Sequence, residues 1–177
     1  MKLTAVLLLT NILIFSSCSE DNKNTKDIME DKFTWNVQLA GYDFDKYDEK
    51  GQTTLEKFFV EFDNFPWIEQ LESYKRIQEG CSPTLSVKDC KTGTDFWVSM
   101  AGDKNKNGYL VGYVYPKMIK GFLGFGKLKE KRWLEIYLTQ DTDVVKQCFT
   151  LFFNRETDSL MATIKKLEKY GEMQAQN

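Results

Sequence analysis

The chain has 177 residues and no histidine. Mechanisms that borrow an imidazole, and metal sites ligated by one, are therefore closed to it. The groups left with chemical potential are four cysteines, at 18, 81, 90 and 148, and several dense carboxylates. Asp43, Asp45, Asp48 and Glu49 crowd the stretch Gly41–Gly51. Such clusters can hold Ca²⁺, but this spacing matches no calcium loop and no glycine stands at the turn position, so the favoured reading is a solvated acidic loop. Asp103-x-Asn105-x-Asn107-Gly108 opens like an EF-hand loop. Its twelfth position, where a bidentate glutamate belongs, is Val114, so calcium is rejected there too. Asn107-Gly108 reads instead as hairpin turn chemistry, since both residues tolerate positive φ. A carboxylate pair could cleave a glycosidic bond, yet these acids fall in loops and on helix surfaces that imply no cleft. No catalytic residue, metal ligand or cofactor is assigned.

Positive charge gathers elsewhere. Lys117, Lys120, Lys127, Lys129, Lys131 and Arg132 surround Gly121-Phe-Leu-Gly-Phe-Gly126. The glycines match no phosphate-binding fingerprint. Two readings stay open: a long hairpin loop whose Phe122 and Phe125 tuck onto the core, or an exposed aromatic and basic tip suited to an acidic protein or to lipid headgroups. The net charge of −2 excludes a generally basic nucleic-acid binder.

The elements that must position these groups centre on Pro83–Pro116. Three runs rich in β-branched and aromatic residues are separated by polar turns, the pattern of strands joined by hairpins. Phe96, Val98 and Met100 alternate with Trp97, Ser99 and Ala101, and Tyr109, Val111, Tyr113 and Tyr115 alternate with Leu110 and Val114. Period two sets one face of an antiparallel sheet on a core and leaves the other half open. Phe33 to Leu39 is a further strand, and Arg132 to Leu138 another, with Leu134, Ile136 and Leu138 on one face. Leu55 to Phe62 fits helix or strand equally. A helix follows Asp63-Asn64-Phe65-Pro66, with Asn64 or Asp63 as its cap and Gly80 as its stop. Asp141-Thr-Asp143 caps a helix carrying Val144, Val145, Cys148, Phe149 and Phe152 on one stripe. A last helix begins near Asp158, turns Leu160, Ile164 and Leu167 inward, and ends at Gly171. The expected fold is α+β: one domain, 33–177, with an antiparallel β-sheet packed against helices.

Met1-Lys2, an apolar run from Leu3 to Phe15 and the small residues Ser16-Ser17-Cys18 describe an export signal too short for a membrane span. Ile14-Phe15-Ser16-Ser17-Cys18 resembles the lipobox of bacterial lipoproteins, with Phe15 where leucine is usual. That resemblance implies cleavage after residue 17 and fatty chains on Cys18, so the protein is expected in the bacterial envelope, lipid-anchored, with the outer membrane as its site. Residues 18–32 are polar and read as a lipidated cysteine and tether. The acidic stretch Ser19-Glu20-Asp21 leaves surface display and a periplasm-facing linker equally open. Cleaving 17 residues from 177 leaves 160, enough for one domain with a core. Cys81 and Cys90 bracket a strand that would hold them more than about 20 Å apart, beyond the ~7 Å a disulfide allows. Both are expected as thiols or poorly bridged, and Cys148 as core.

Finally, Phe62-Asp-Asn-Phe-Pro-Trp-Ile-Glu-Gln, Cys81-Ser-Pro-Thr-Leu-Ser-Val, Phe96-Trp-Val-Ser and Leu151-Phe-Phe resemble small immunity proteins that neutralise toxins passed between competing bacteria. The resemblance covers most of the mature domain and rests on packing residues. It implies a non-catalytic protein that binds one cognate toxin. Two surfaces are candidates for that contact: the acidic one at Asp43, Asp45, Asp48 and Glu49, and the basic one at Lys120, Phe122, Phe125, Lys127 and Lys129. An accessory envelope lipoprotein and a small-ligand-binding lipoprotein using the aromatic sheet face are the alternatives.

Overall fold

A computed structural model describes residues 32–103, 106–120 and 128–175. The export signal, Cys18, the tether up to residue 31, and Phe122, Phe125 and Lys127 of the basic segment lie outside the described residues. Seven strands and four helices follow in chain order: β1 (Phe33–Gln38), β2 (Asp48–Thr53), α1 (Leu55–Asn64), α2 (Trp67–Ile77), β3 (Thr84–Asp89), β4 (Thr94–Asp103), β5 (Lys106–Ile119), β6 (Lys129–Thr139), α3 (Thr142–Phe153), α4 (Thr157–Ile164) and β7 (Glu168–Gln174). The strands form one antiparallel sheet in the order β2-β1-β3-β4-β5-β6-β7. The α+β class expected from the alternation holds.

Register explains which face is covered. Leu85 pairs Val98 and Val98 pairs Val111, and one step along Val87 pairs Phe96 and Phe96 pairs Tyr113. Paired residues share a face, so these side chains form one apolar surface. α3 answers it with Val145, Cys148, Phe149 and Phe152, the i, i+3, i+4, i+7 stripe that a helix must bury. Phe149 is fully buried, edge-on to Phe96 at 4.9 Å and 4.5 Å from the Phe58 ring of α1. Leu55–Phe62 is thus helical: Thr54 caps it by accepting from Lys57 N, and Phe58 and Phe62 are its buried pair. Asp141 caps α3 as expected, accepting from the amides of Asp143 and Val144.

Five expectations need correction. Half of the acidic loop is strand: Asp48 and Glu49 open β2, which pairs with β1 through a bulge at Trp35/Asn36, with Gly51 at φ +77. Glu168–Gln174, its first residues expected to end the last helix, is strand too. α4 ends at Ile164, and β7 completes the edge of β6 with Gly171 opposite Ile136. Asn107-Gly108 is ladder and not turn, pairing with Gly102 and Ala101, and the pairing continues to Asp103 and Lys106. Gly108 is needed for space: a Cβ there would sit 2.9 Å from the Thr139 carbonyl oxygen. In α2, Pro66 is the N-cap with no side-chain bond, Asp63 instead pairs with Lys146 at 2.6 Å, and Gln78 (φ 58) ends the helix in place of Gly80. The described flanks of the basic segment are strand, since β5 and β6 pair out to Ile119 and Lys129. Lys117, Lys131 and Arg132 are therefore strand residues.

Candidate binding site on the open sheet face

The second face of the sheet is built by the residues that alternate with the core. One cross-strand row runs Asn36, Ser86, Trp97, Gly112, Ile136, Gly171 from β1 to β7. The next runs Gln38, Thr84, Ser99, Leu110, Leu138. Over these rows lies a cavity of about 480 Å³, lined on one side by side chains of β1 and β3 and on the other by Leu110, Val114, Leu134 and Met173. Trp97 stands between the two lanes. Its indole lies across Gly112, where a Cβ would fall 2.0 Å from Cε2 and 2.2 Å from Cζ2.

The wall at one end comes from the bend after β1 and the chain that leaves α2. Gly41 N donates to the Cys81 carbonyl at 3.0 Å and Cys81 N to the Tyr42 carbonyl at 2.8 Å, tying the bend after β1 to the exit of α2. Gly80 makes that approach possible, since a Cβ would lie 2.5 Å from the Tyr42 carbonyl oxygen. Gln38 Nε2 donates to the carbonyls of Phe44 and Lys46, holding Phe44 and Tyr47 at the cavity margin. Ser82 and Ser99 share a hydroxyl bond of 2.6 Å, and Ser99 donates to the Pro83 carbonyl. These serines are already partnered within the wall.

Among the described residues, charge enters the cavity lining at Arg132, while Glu49 and Lys88 stand on the same face outside it. Asp95, 1 % exposed, forms an ion pair with Arg132 of β6. Burial pushes the Asp95 carboxyl up to about 6, against the opposing pull of Arg132 and Lys88. Cys81 lines the cavity, but burial and then the acids Asp43 and Asp45 raise its thiol to about 11, which leaves it protonated and inert at neutral pH. Burial alone raises Cys148 to about 12. Cys81, Cys90 and Cys148 are all thiols, in line with the strand between the first two.

The residues singled out from sequence do not converge. Asp43 and Asp45 are exposed on the bend beside the cavity. Asp48 accepts from the Tyr42 hydroxyl at 3.4 Å and pairs with Lys50, and Glu49 is exposed on the edge strand. Lys120 and Lys129 are exposed at the far tip of the β5–β6 hairpin. Leu110 marks the acidic end of β5 and Ile119 the basic end, about 30 Å apart at ~3.3 Å per residue. Sequence reasoning missed Asn36, Ser86 and the cavity itself, and read Arg132 as part of the basic segment and not of this face. The available signal was a tryptophan on the outward face of β4 and a glycine amid β-branched neighbours in β5. Compared with family models, curated proteins and solved structures, the chain gives no significant match.

Proposed function

We propose that this chain is a lipid-anchored, non-catalytic binding protein of the bacterial envelope, of the immunity type that neutralises a cognate toxin. One observation supports this above the others: the sheet leaves a hollow of about 480 Å³ on its second face, with aromatic side chains beside an acidic bend. A protein-binding surface needs apolar anchors that bury on contact and charge that steers the approach. Trp97, Phe44 and Tyr47 offer the anchors, and Asp43 and Asp45 the charge. Arg132, the one ionic group of the lining among the described residues, is committed to Asp95 instead of being presented to a substrate. The test is co-expression in the envelope with the toxin expected from the adjacent gene. Rescue of growth and joint purification are the expected results, and growth arrest equal to that of cells lacking the chain rejects the reading.

The size of the same hollow favours a second reading, a small-ligand-binding lipoprotein. Its volume falls inside the roughly 300–1,000 Å³ of ligand pockets.

A further inference from the structure

The lining of the open face carries a more specific inference, which rests on the small-ligand reading. Asn36, Ser86 and Trp97 are successive members of one cross-strand row, so they span two strand spacings, about 10 Å. All three line the cavity. Ser86 is 7 % exposed, and among the described residues neither its hydroxyl nor the Asn36 amide has a protein hydrogen-bond partner. Beyond the indole, Val114 and Leu134 supply an aliphatic wall. The cavity thus pairs unused donors and acceptors with an aromatic plate and carries no net charge, because Arg132 and Asp95 neutralise each other.

We propose that this cavity binds a neutral sugar ring, as a disaccharide or as the end of a longer glycan. A hydrocarbon would cover Asn36 and Ser86 and leave them without partners. An ionic ligand would find the counter-charge already engaged. A pyranose meets both demands. Its C–H face lies against the electron-rich face of the indole, while hydroxyls at its rim exchange hydrogen bonds with the amide and the serine.

The experiment is a titration of the full chain, in buffer free of glycoside detergents, with maltose, lactose and chitobiose, read by saturation-transfer NMR and tryptophan fluorescence. Maltopentaose and chitopentaose are added to separate a free disaccharide from a chain end. Saturable binding of at least one sugar is expected. Trp97→Ala should weaken it about tenfold or more, while Trp97→Phe, which keeps an aromatic plate, restores most of it. Ser86→Ala and Asn36→Ala should each weaken it, and Trp133→Phe should leave it unchanged. Binding that survives Trp97→Ala overturns the assignment. If no sugar binds but decanoate does, in a Trp97-dependent way, the sugar is wrong and the small-ligand reading stands. If neither sugars nor decanoate bind, both fall.

Discussion

Trp97 and Gly112 are direct cross-strand partners, and the indole of the first occupies the space where any side chain of the second would begin. The glycine serves a packing purpose and not a conformational one, since Gly112 is not among the residues with positive φ. Gly112→Ala should therefore expel the ring at a cost of roughly 1–3 kcal/mol, the usual penalty of overpacking. Tryptophan emission should shift to the red and the melting temperature should fall. With Trp97→Ala already present, the same alanine should be neutral or mildly stabilising, because glycine is the poorer strand residue. A double-mutant cycle in thermal unfolding reads the difference.

The two buried aspartates should answer pH in opposite senses. Asp89 and Asp95 are each 1 % exposed and each paired with an arginine. Burial alone would raise Asp89, but Arg155, binding through Nε at 2.7 Å and Nη2 at 3.1 Å, together with the Lys91 amide and Thr92, brings it below the ordinary carboxylate value. Its contribution is present above about pH 4 and is lost as pH falls through the lowered value. Asp95, raised to about 6, works the other way. Its proton is held more tightly in the fold, so its contribution is complete below about pH 4 and lost as pH rises through 6. Melting curves from pH 2 to 8 should show wild type losing ground to Asp95→Asn across pH 4–7 and gaining on Asp89→Asn between pH 2 and 4. Parallel curves would refute the contrast.

Removing Arg155 tests the pair held by two hydrogen bonds. Its guanidinium also lies 4.9 Å from the Phe33 ring, so Arg155→Met keeps apolar cover while stripping Asp89 of its partner. A buried charge left alone costs about 3–5 kcal/mol. Urea denaturation should show that loss, and Asp89→Asn in the same chain should recover part of it.

Steering should separate the two charged ends of the domain. Asp43→Lys with Asp45→Lys should slow association with a basic partner, most strongly at low ionic strength, with little change in the dissociation rate. Lys129→Glu with Lys131→Glu should do so only if the partner approaches the hairpin. Surface plasmon resonance against the toxin proposed as partner, at two salt concentrations, tells which end docks.

Cys18→Ala should move the protein from the membrane to the soluble fraction while the circular dichroism of the domain stays unchanged. The domain core draws on residues from Phe33 onward. A soluble chain that has lost its melting transition would contradict that separation.

The core was legible in the sequence because it obeys simple periods. Phe96, Val98 and Met100 step by two and Val145, Cys148, Phe149 and Phe152 by three and four, and each set lands on the buried face. β2 and β7 were not legible. Asp-Glu-Lys-Gly-Gln-Thr and Glu-Lys-Tyr-Gly-Glu-Met-Gln carry no apolar alternation because edge strands need only a backbone partner, and charge guards them against further pairing. The binding face was half legible. Outward residues such as Asn36 and Ser86 look like solvent-facing strand positions, and only the register of three strands shows that they stand in line with Trp97.

β1 begins at Phe33, level with Asp89 and Thr94, and runs toward the acidic bend, while β5 and β6 continue past that starting level to Ile119 and Lys129. The polypeptide thus joins the domain at the pole where Lys117, Lys120, Lys129 and Lys131 gather. If a bilayer holds the chain by its N-terminal side, those ammonium groups are the first to meet anionic headgroups, each adding on the order of 1 kcal/mol of attraction. The molecule would then stand upright like a compass needle, lysines down, with the mouth beside Asp43 and Asp45 turned toward open water.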